Sequence, residues 1–313
     1  MTIAALNPAG PRAHQIADLM LTFFSVSAVV YLIVIGALVW AMQRKRALAT
    51  GPARAEAEQQ ARRVIGVAVA LTVILLLGLA LADFTVQRSL SSHPADALRV
   101  LVTGHQYWWE VEYDDPVPSQ RLRTANELHI PVNRPVELVL GSRDVIHSFW
   151  LPNIMGKKDL IPGHTNTEVL VVDSPGVFRG QCAEFCGLQH AQMRLLLHAD
   201  PPDRFERWRQ AQLASAREPA DDRQKHGREV FMTSSCVLCH AIQGTDASAT
   251  AGPDLTHVAS RDTIAAGALR NTPANLSSWI LAPQRFKLGV MMPATQLPPE
   301  DLSALTAYLG SLQ

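Results

Sequence analysis

Two long apolar runs near the N-terminus place the strongest constraint on the fold. Residues 19–42 are almost entirely apolar, and residues 64–82 form a second such run. A helix needs ~20 residues to cross the hydrocarbon core of a bilayer, where it satisfies its own backbone hydrogen bonds. The sequence therefore predicts a transmembrane hairpin within residues 1–90, with helices at about 17–42 and 64–87.

The charges beside these runs predict how the hairpin is oriented. Basic residues are concentrated in cytoplasmic loops of membrane proteins. The tail before the first run carries only Arg12, whereas the connecting segment carries Arg44, Lys45, Arg46, Arg54, Arg62 and Arg63. We therefore expect a cytoplasmic loop, with everything after the second helix on the periplasmic or outer face of a bacterial plasma membrane. A cleaved signal peptide ending near residues 47–49 is the alternative, although its basic cluster follows the apolar run instead of preceding it.

Net charge and cysteine count narrow the function. The 313 residues carry a formal net charge of zero, which gives no electrostatic reason to expect nucleic acid as a partner. The four cysteines form two close pairs, Cys182 with Cys186 and Cys236 with Cys239. No cysteine is left for a structural disulfide elsewhere, so each pair is a candidate site for chemistry.

Short strand patterns fill the middle of the chain. Residues 98–113 alternate between apolar and polar side chains and are rich in aromatics. Further apolar runs at residues 128–132, 136–140 and 169–172 are separated by turns rich in Pro and Gly. This spacing predicts an all-β Greek-key sandwich of the cupredoxin type at residues 91–200.

One loop after these strands concentrates metal-binding side chains. Cys182, Cys186, His190 and Met193 lie within twelve residues. Soft sulfur ligands with imidazole select copper, zinc or an iron–sulfur cluster, but structural zinc has no use for a methionine and a cluster needs more cysteines. A mononuclear blue-copper site uses one cysteine, so the presence of two cysteines predicts a pair of copper ions bridged by both sulfurs. The second imidazole should then come from outside the loop, and His147 fits best.

The spacing of this loop also carries a resemblance. C-x-E-x-C-x-x-x-H-x-x-M, after D-V-x-H-S-F-W-x-P, resembles the binuclear copper (CuA) domain of cytochrome c oxidase subunit II. The resemblance implies that two cysteines bridge both ions, that His147 and Met193 complete one copper, and that His190 completes the other with a backbone carbonyl. We call these six residues the copper ligand set: His147, Cys182, Glu184 through its carbonyl, Cys186, His190 and Met193.

Two further expectations follow from the resemblance. The side chain of Glu184 would face a magnesium ion shared with subunit I. The family usually has Trp-Tyr-Trp where this chain has Tyr107, Trp108 and Trp109, and the first tryptophan there receives electrons from soluble cytochrome c. Either Tyr107 or Trp108 is therefore a candidate for electron transfer. Two histidines receive no metal role at this point: His129 is interpreted as a surface residue of a strand, and His198 falls beyond the copper loop.

The C-terminal part predicts a second metal centre. Residues 201–222 are interpreted as a short exposed helix and a linker. In residues 223–313, Cys236, Cys239 and His240 form C-x-x-C-H, the attachment motif of haem c with histidine as the proximal ligand. A C-x-x-C redox disulfide is the alternative. The segment resembles class I cytochrome c, an all-α fold in which the distal methionine directly precedes a proline. This implies Met292 as the distal ligand, with Met291 as the alternative.

A subunit II with this fusion resembles the oxidases that carry their own cytochrome c. The resemblance implies that electrons pass from a donor through haem c and copper to subunit I, which reduces O2 and pumps protons, so catalytic residues are expected on another subunit. Subunit I, subunit III and membrane lipid are the implied partners. The donor is either a soluble or membrane cytochrome c, or a quinol–cytochrome c reductase. The same electron input on a CuA-containing nitric oxide reductase is the alternative function.

Overall fold

The structure, a computed structural model, describes residues 7–43, 52–90, 94 and 96–313. The chain divides into two units, one of residues 14–92 and one of residues 1–13 with 93–313. The basic cluster Arg44, Lys45 and Arg46 and the alternative cleavage site at residues 47–49 lie outside the described residues.

Two long helices make up the first unit. α1 (Pro11–Gln43) and α2 (Pro52–Leu90) contain apolar windows with mean hydropathies of 2.4 and 2.9, and neither window is buried against protein. Both helices extend beyond the apolar runs of the sequence. Hydropathy marks only the part suited to hydrocarbon, whereas the Ala, Glu, Gln and Arg residues before Val64 also favour helix.

Ten strands within residues 96–200 form a sandwich of two five-stranded sheets. The strands are β1 (Leu98–His105), β2 (Trp108–Tyr113), β3 (Leu122–Ala125), β4 (Glu127–Pro131), β5 (Val136–Ser142), β6 (His147–Trp150), β7 (Lys158–Leu160), β8 (Asn166–Leu170), β9 (Gly176–Cys182) and β10 (Arg194–Asp200). One sheet has the order β3-β2-β1-β5-β8 and the other β4-β10-β9-β6-β7. The predicted all-β, cupredoxin-like sandwich is confirmed.

The alternating run at residues 98–113 folds as a hairpin and supplies much of the core. β1 pairs with β2 in antiparallel register, with His105 opposite Trp108. Successive side chains of a strand point to opposite faces, so Val100, Val102 and Trp109 are buried while their neighbours are not. The parallel pairing of β1 with β5, and of β4 with β10, links strands distant in sequence.

The helix after the sandwich packs against it. α3 (Pro202–Leu213) buries Phe205 and places Trp208 on the sandwich core. The expectation of an exposed helix was wrong on this point, because aromatics three residues apart share one helix face even in a strongly charged segment. Residues 214–221 then lead to the last domain.

The C-terminal domain is helical apart from one short ribbon. Its elements are β11 (Thr263–Ile264), β12 (Leu269–Arg270), α4 (Asp222–Thr233), α5 (Pro273–Leu281), α6 (Pro283–Phe286) and α7 (Pro299–Leu309). α4 and α7 cross at Gly227, where a Cβ atom would lie 2.1 Å from the carbonyl oxygen of Ala304. Phe231 and Tyr308 pack beside this crossing, with ring centroids 6.4 Å apart. The cytochrome c type of fold is confirmed, and this domain and the sandwich belong to one compact unit.

Candidate metal centres

Strand pairing closes the copper loop. Cys182 ends β9 and Met193 directly precedes β10, and these two strands are antiparallel neighbours. The backbone N–H of Cys182 donates to the carbonyl of Met193 at 2.9 Å. The two ends of the loop are therefore held together, which confines Cys186 and His190 between them.

The two sulfurs lie at the centre of the predicted copper ligand set. Cys182 Sγ and Cys186 Sγ are 3.9 Å apart, far beyond the ~2.05 Å of a disulfide. The other ligand atoms surround them: His147 Nδ1 lies 3.9 Å from Cys182 Sγ, the Glu184 carbonyl 3.1 Å from the same sulfur, and His190 Nδ1 and Met193 Sδ each 3.9 Å from Cys186 Sγ. The structure thus brings together all six residues.

His147 is oriented by a carboxylate. Its Nε2 lies 2.8 Å from Asp144 Oδ1, and because a carboxylate only accepts, Nε2 carries the proton. The other ring nitrogen, Nδ1, faces Cys182. A carboxylate behind a ligating histidine fixes its tautomer and ring plane, as in many metal sites.

Hydrogen bonds set the charge of the two cysteines. The hydrogen bond from the Cys186 thiol is the main cause that lowers the pKa of Cys182, and it outweighs burial. The same shared proton raises the pKa of Cys186. Burial alone would lower the pKa of His147, but its bonds to Cys182 and Asp144 raise it. The pair therefore holds one thiolate and one proton, which a metal ion would displace.

The donor set fits two copper ions. Thiolate and thioether sulfur favour copper, and imidazole suits it as well. The two sulfurs are 3.9 Å apart, and a different imidazole lies beside each of them, so each of two ions has its own terminal imidazole available. When bound, such a pair supplies a one-electron carrier.

Gly104 provides a mutational test of the position of His147. A Cβ atom at Gly104 would lie 2.7 Å from His147 Cδ2, so Gly104→Ala should displace the imidazole. We expect copper affinity to fall by about tenfold, because changes that disturb the orientation of a ligating histidine weaken metal binding by at least that factor. Gly141→Ala on the neighbouring strand is the matched control, since nothing lies within 4 Å of its Cβ position. Copper titration followed by EPR measures both, and equal losses would contradict this role of Gly104.

The aromatic residues after His105 lie in different surroundings. Tyr107 is only 7% exposed, and its hydroxyl accepts a hydrogen bond from the N–H of Leu188 in the copper loop at 3.1 Å. Trp108 is half-buried and stacks on His105, with centroids 4.3 Å apart. Trp109 lies edge-on to His147 at 6.0 Å. Of the two candidates, Tyr107 is the one in contact with the copper loop.

The haem residues show the geometry of a proximal ligand. His240 Nδ1 donates to the Pro253 carbonyl at 2.7 Å, which leaves Nε2 free to bind iron. Cys236 lies in a 3₁₀ turn, Ser235–Leu238, and Cys239 directly follows that turn. His240 is the next residue in the sequence. Met292 packs against the core of this domain. Two thiols, an available imidazole and a packed thioether fit a covalent haem c.

Sequence reasoning missed Lys287. This side chain is 1% exposed, and its Nζ donates to the carbonyls of Tyr107 at 2.8 Å, Gln192 at 3.1 Å and Ala265 at 3.2 Å. Burial lowers its pKa to about 7. A lysine in a loop carries no periodic or motif signal, so the sequence could not identify it as an interdomain residue.

Comparisons with known proteins agree with this arrangement. The family model described as cytochrome c oxidase subunit II, periplasmic domain, matches residues 116–199, and that of cytochrome c matches residues 224–313. Cytochrome c oxidase subunit 2 of Alkalihalophilus pseudofirmus is 36% identical over 99% of this chain and 91% of its own length. The subunit of Bacillus sp. is 37% identical over 68% of this chain and 62% of its own length.

A solved structure is also similar. It is the periplasmic domain of subunit II of cytochrome oxidase from Bradyrhizobium japonicum, 29% identical, covering 38% of this chain and 95% of that chain, with a TM-score of 0.36. The match to Alkalihalophilus pseudofirmus runs along nearly the whole chain. This protein, in which a cytochrome c domain follows the subunit II periplasmic domain, therefore belongs to the cytochrome c oxidase subunit 2 family and is a subunit of an oxidoreductase complex.

Proposed function

We propose that this chain is the subunit through which electrons enter a membrane haem–copper oxidase. Electrons would pass from a donor to haem c, held by Cys236, Cys239, His240 and Met292. They would then pass to two copper ions held by the copper ligand set, and on to the catalytic subunit, which reduces O2 to water.

The contact between the copper loop and the segment before Met292 carries this proposal. Gln189 Nε2 donates to the carbonyl of Leu288 at 2.9 Å, and Lys287 Nζ donates to the carbonyl of Gln192. The residues that hold copper and the residues that lead to the distal haem ligand are thus packed against each other. Electron transfer is favoured when donor and acceptor are close, so the two centres suit an internal relay.

The residues of the copper loop would keep this relay rigid. Cys182 and Cys186 would hold two copper ions, and the bound pair would supply a one-electron carrier. Cys182 and Cys186 are themselves buried, and Asp144 fixes the ring of His147, which is buried as well. We assign Tyr107 to the internal path, because Lys287 holds its carbonyl and the copper loop covers its hydroxyl. Trp108 remains the candidate for an external donor.

The chain is expected to work as part of a larger membrane complex. We propose that the chain assembles with subunits I and III and membrane lipid, and that Glu184 contributes to a magnesium site shared with subunit I. The two apolar helices and the basic residues between them support an outer position for the copper and haem domains and a cytoplasmic loop. The donor would be a soluble or membrane cytochrome c, or a quinol–cytochrome c reductase.

Stopped-flow reduction of the purified oxidase complex tests the order of the relay. With soluble cytochrome c as donor, haem c should be reduced before copper. The double variant Cys236→Ala, Cys239→Ala cannot attach haem, and its copper should then be reduced more slowly by about tenfold or more. A small inorganic reductant should still reduce the copper, which shows that the centre is intact. An unchanged rate with cytochrome c would contradict the proposed order.

Lys287→Met tests the contact between the two domains. Methionine has similar length but no N–H, so three buried carbonyls lose their donor, at roughly 1–3 kcal/mol for each unsatisfied group. We expect intramolecular electron transfer from haem c to copper to slow by about tenfold as the domains separate. Flash-induced reduction kinetics measure it. The control is Lys225→Met, which removes an exposed lysine paired with Asp222 and should leave the rate unchanged.

A further inference from the structure

A second cluster of metal-binding side chains lies where the sandwich meets the cytochrome domain. Glu127 on β4 and His198 on β10 come from neighbouring parallel strands, and Asp262 comes from the cytochrome domain. His198 Nε2 lies 4.0 Å from Glu127 Oε2 and 3.8 Å from Asp262 Oδ2. The cluster includes no member of the copper ligand set.

One atom of this cluster has no partner. His198 is 7% exposed, and its Nε2 is buried without a hydrogen bond in the part of the chain that the structure describes. Glu127 Oε1 accepts from the N–H of Thr263 at 3.0 Å, so it is the other oxygen, Oε2, that faces the imidazole. Buried polar atoms of native proteins are nearly always paired, and an ion is one of the few explanations for an exception.

A stack of three rings fixes the direction of the His198 imidazole. His198 lies parallel to His129 at 4.2 Å and 3°, and His129 lies parallel to Trp208 at 4.2 Å and 12°. His129 is itself held by Asp200, with Nδ1 3.0 Å from Oδ2. The stack leaves Nε2 of His198 directed at the two carboxylates.

The same stack corrects the interpretation of His129 as a surface residue. Its side chain is largely covered, because α3 brings Trp208 against one of its faces. His129 does not share an ion with His198, since the two rings are parallel and their lone pairs lie in separate planes. Its role is to orient His198.

A cation at this cluster would replace a proton on Glu127. Burial raises the pKa of Glu127 to about 7 against the effects of Thr263 and Arg261, and Asp262 adds to the rise. Burial lowers the pKa of His198 to about 4, so its imidazole is neutral with a free lone pair. Two arginines lie nearby: the Nη2 of Arg261 donates to the Asp254 carbonyl, and Arg204 pairs with Asp200.

We propose that Glu127, His198 and Asp262 bind a divalent transition-metal ion, with Zn²⁺ the ion whose ligand preferences they fit best. Zinc takes imidazole nitrogen and carboxylate oxygen at ~2.0–2.2 Å in a tetrahedron, which places two of its ligand atoms ~3.3–3.6 Å apart. The observed 3.8 and 4.0 Å are slightly longer, so the side chains must draw together around an ion. Asp262, whose side chain is 64% exposed, can move inward to complete the site. The bound ion would join the sandwich to the cytochrome domain, with water at the fourth position.

Metal titration of the full-length chain, loaded with its copper and haem, tests the proposal. Competition between the protein and a chromophoric chelator should reveal one tightly held Zn²⁺ per chain, and Co²⁺ should give the visible absorption of a four-coordinate site. His198→Gln and Asp262→Asn should each weaken zinc binding by about tenfold or more. Asp262 is exposed, so its variant tests the site even if His198→Gln fails to fold.

His226→Gln is the matched control. His226 forms an exposed pair with Asp301 at 2.7 Å in the same domain, and its loss should leave zinc binding unchanged. Zinc should also raise the unfolding temperature of the wild-type chain and leave that of Asp262→Asn unchanged. The absence of a bound zinc ion, or equal affinity in wild type and Asp262→Asn, would overturn the proposal. Either result would leave a water molecule as the partner of His198 Nε2.

Discussion

Cys186→Ser is expected to abolish the binuclear copper centre. Cys186 Sγ lies 3.9 Å from each of His190 Nδ1, Met193 Sδ and Cys182 Sγ. A hydroxyl is a hard donor and does not replace a bridging thiolate on copper. We expect the copper content to fall from two ions to one or none. Oxidase turnover should fall by about a hundredfold. Replacing a group that only orients a metal ligand already lowers activity by up to about that factor.

The EPR spectrum separates this effect from general damage to the loop. Wild-type protein should show hyperfine splitting from one electron shared over two equivalent coppers, and Cys186→Ser should show a single-copper pattern or none. Met193→Leu is the control, because it removes a buried thioether of similar volume and keeps both sulfur bridges. Its spectrum should still report two coppers. A shared-electron spectrum in Cys186→Ser would exclude the bridging role.

Met292→Leu is expected to remove the distal ligand of haem c. Met292 packs with the core of the cytochrome domain, where leucine fits by volume but offers no lone pair. The haem should change from a low-spin to a high-spin form. Its reduction potential should fall, since methionine and histidine together raise the potential of cytochromes c. Optical and EPR spectra and a redox titration measure these changes.

The neighbouring methionine gives the comparison. Met291 is 87% exposed, so Met291→Leu should leave both the spin state and the potential unchanged. Loss of the low-spin form in Met291→Leu, and not in Met292→Leu, would reverse the assignment of the distal ligand.

Sequence reasoning did best where one short segment holds the chemistry. The copper loop joins two paired strands, so spacing along the chain already brings Cys182 and Met193 together. The attachment motif at Cys236 and Cys239 is local in the same way. His147 lies outside the loop and was predicted only because the count of donors required a second imidazole; the structure places its Nδ1 3.9 Å from Cys182 Sγ.

Contacts between residues far apart in the chain could not be predicted from the sequence. Lys287 meets Tyr107 across 180 positions of the chain, and no pattern near either residue indicates that contact. Glu127 and His198 meet through parallel strands whose pairing depends on the whole Greek key. The burial of Phe205 was missed for a related reason, because a short apolar stripe in a charged helix identifies its partner only once the sandwich has formed.

The burial of the Lys287 amino group determines how the contact between the two domains responds to ionic strength. Transient encounters between soluble redox proteins are steered by exposed charges, and added salt weakens them because the screening length is only ~10 Å at 0.1 M. The contact of Lys287 is closed off from solvent and is made to backbone carbonyls, which ions in solution do not screen. The electron's passage from the tethered cytochrome should thus be almost indifferent to salt, while its arrival from an external donor remains salt-sensitive.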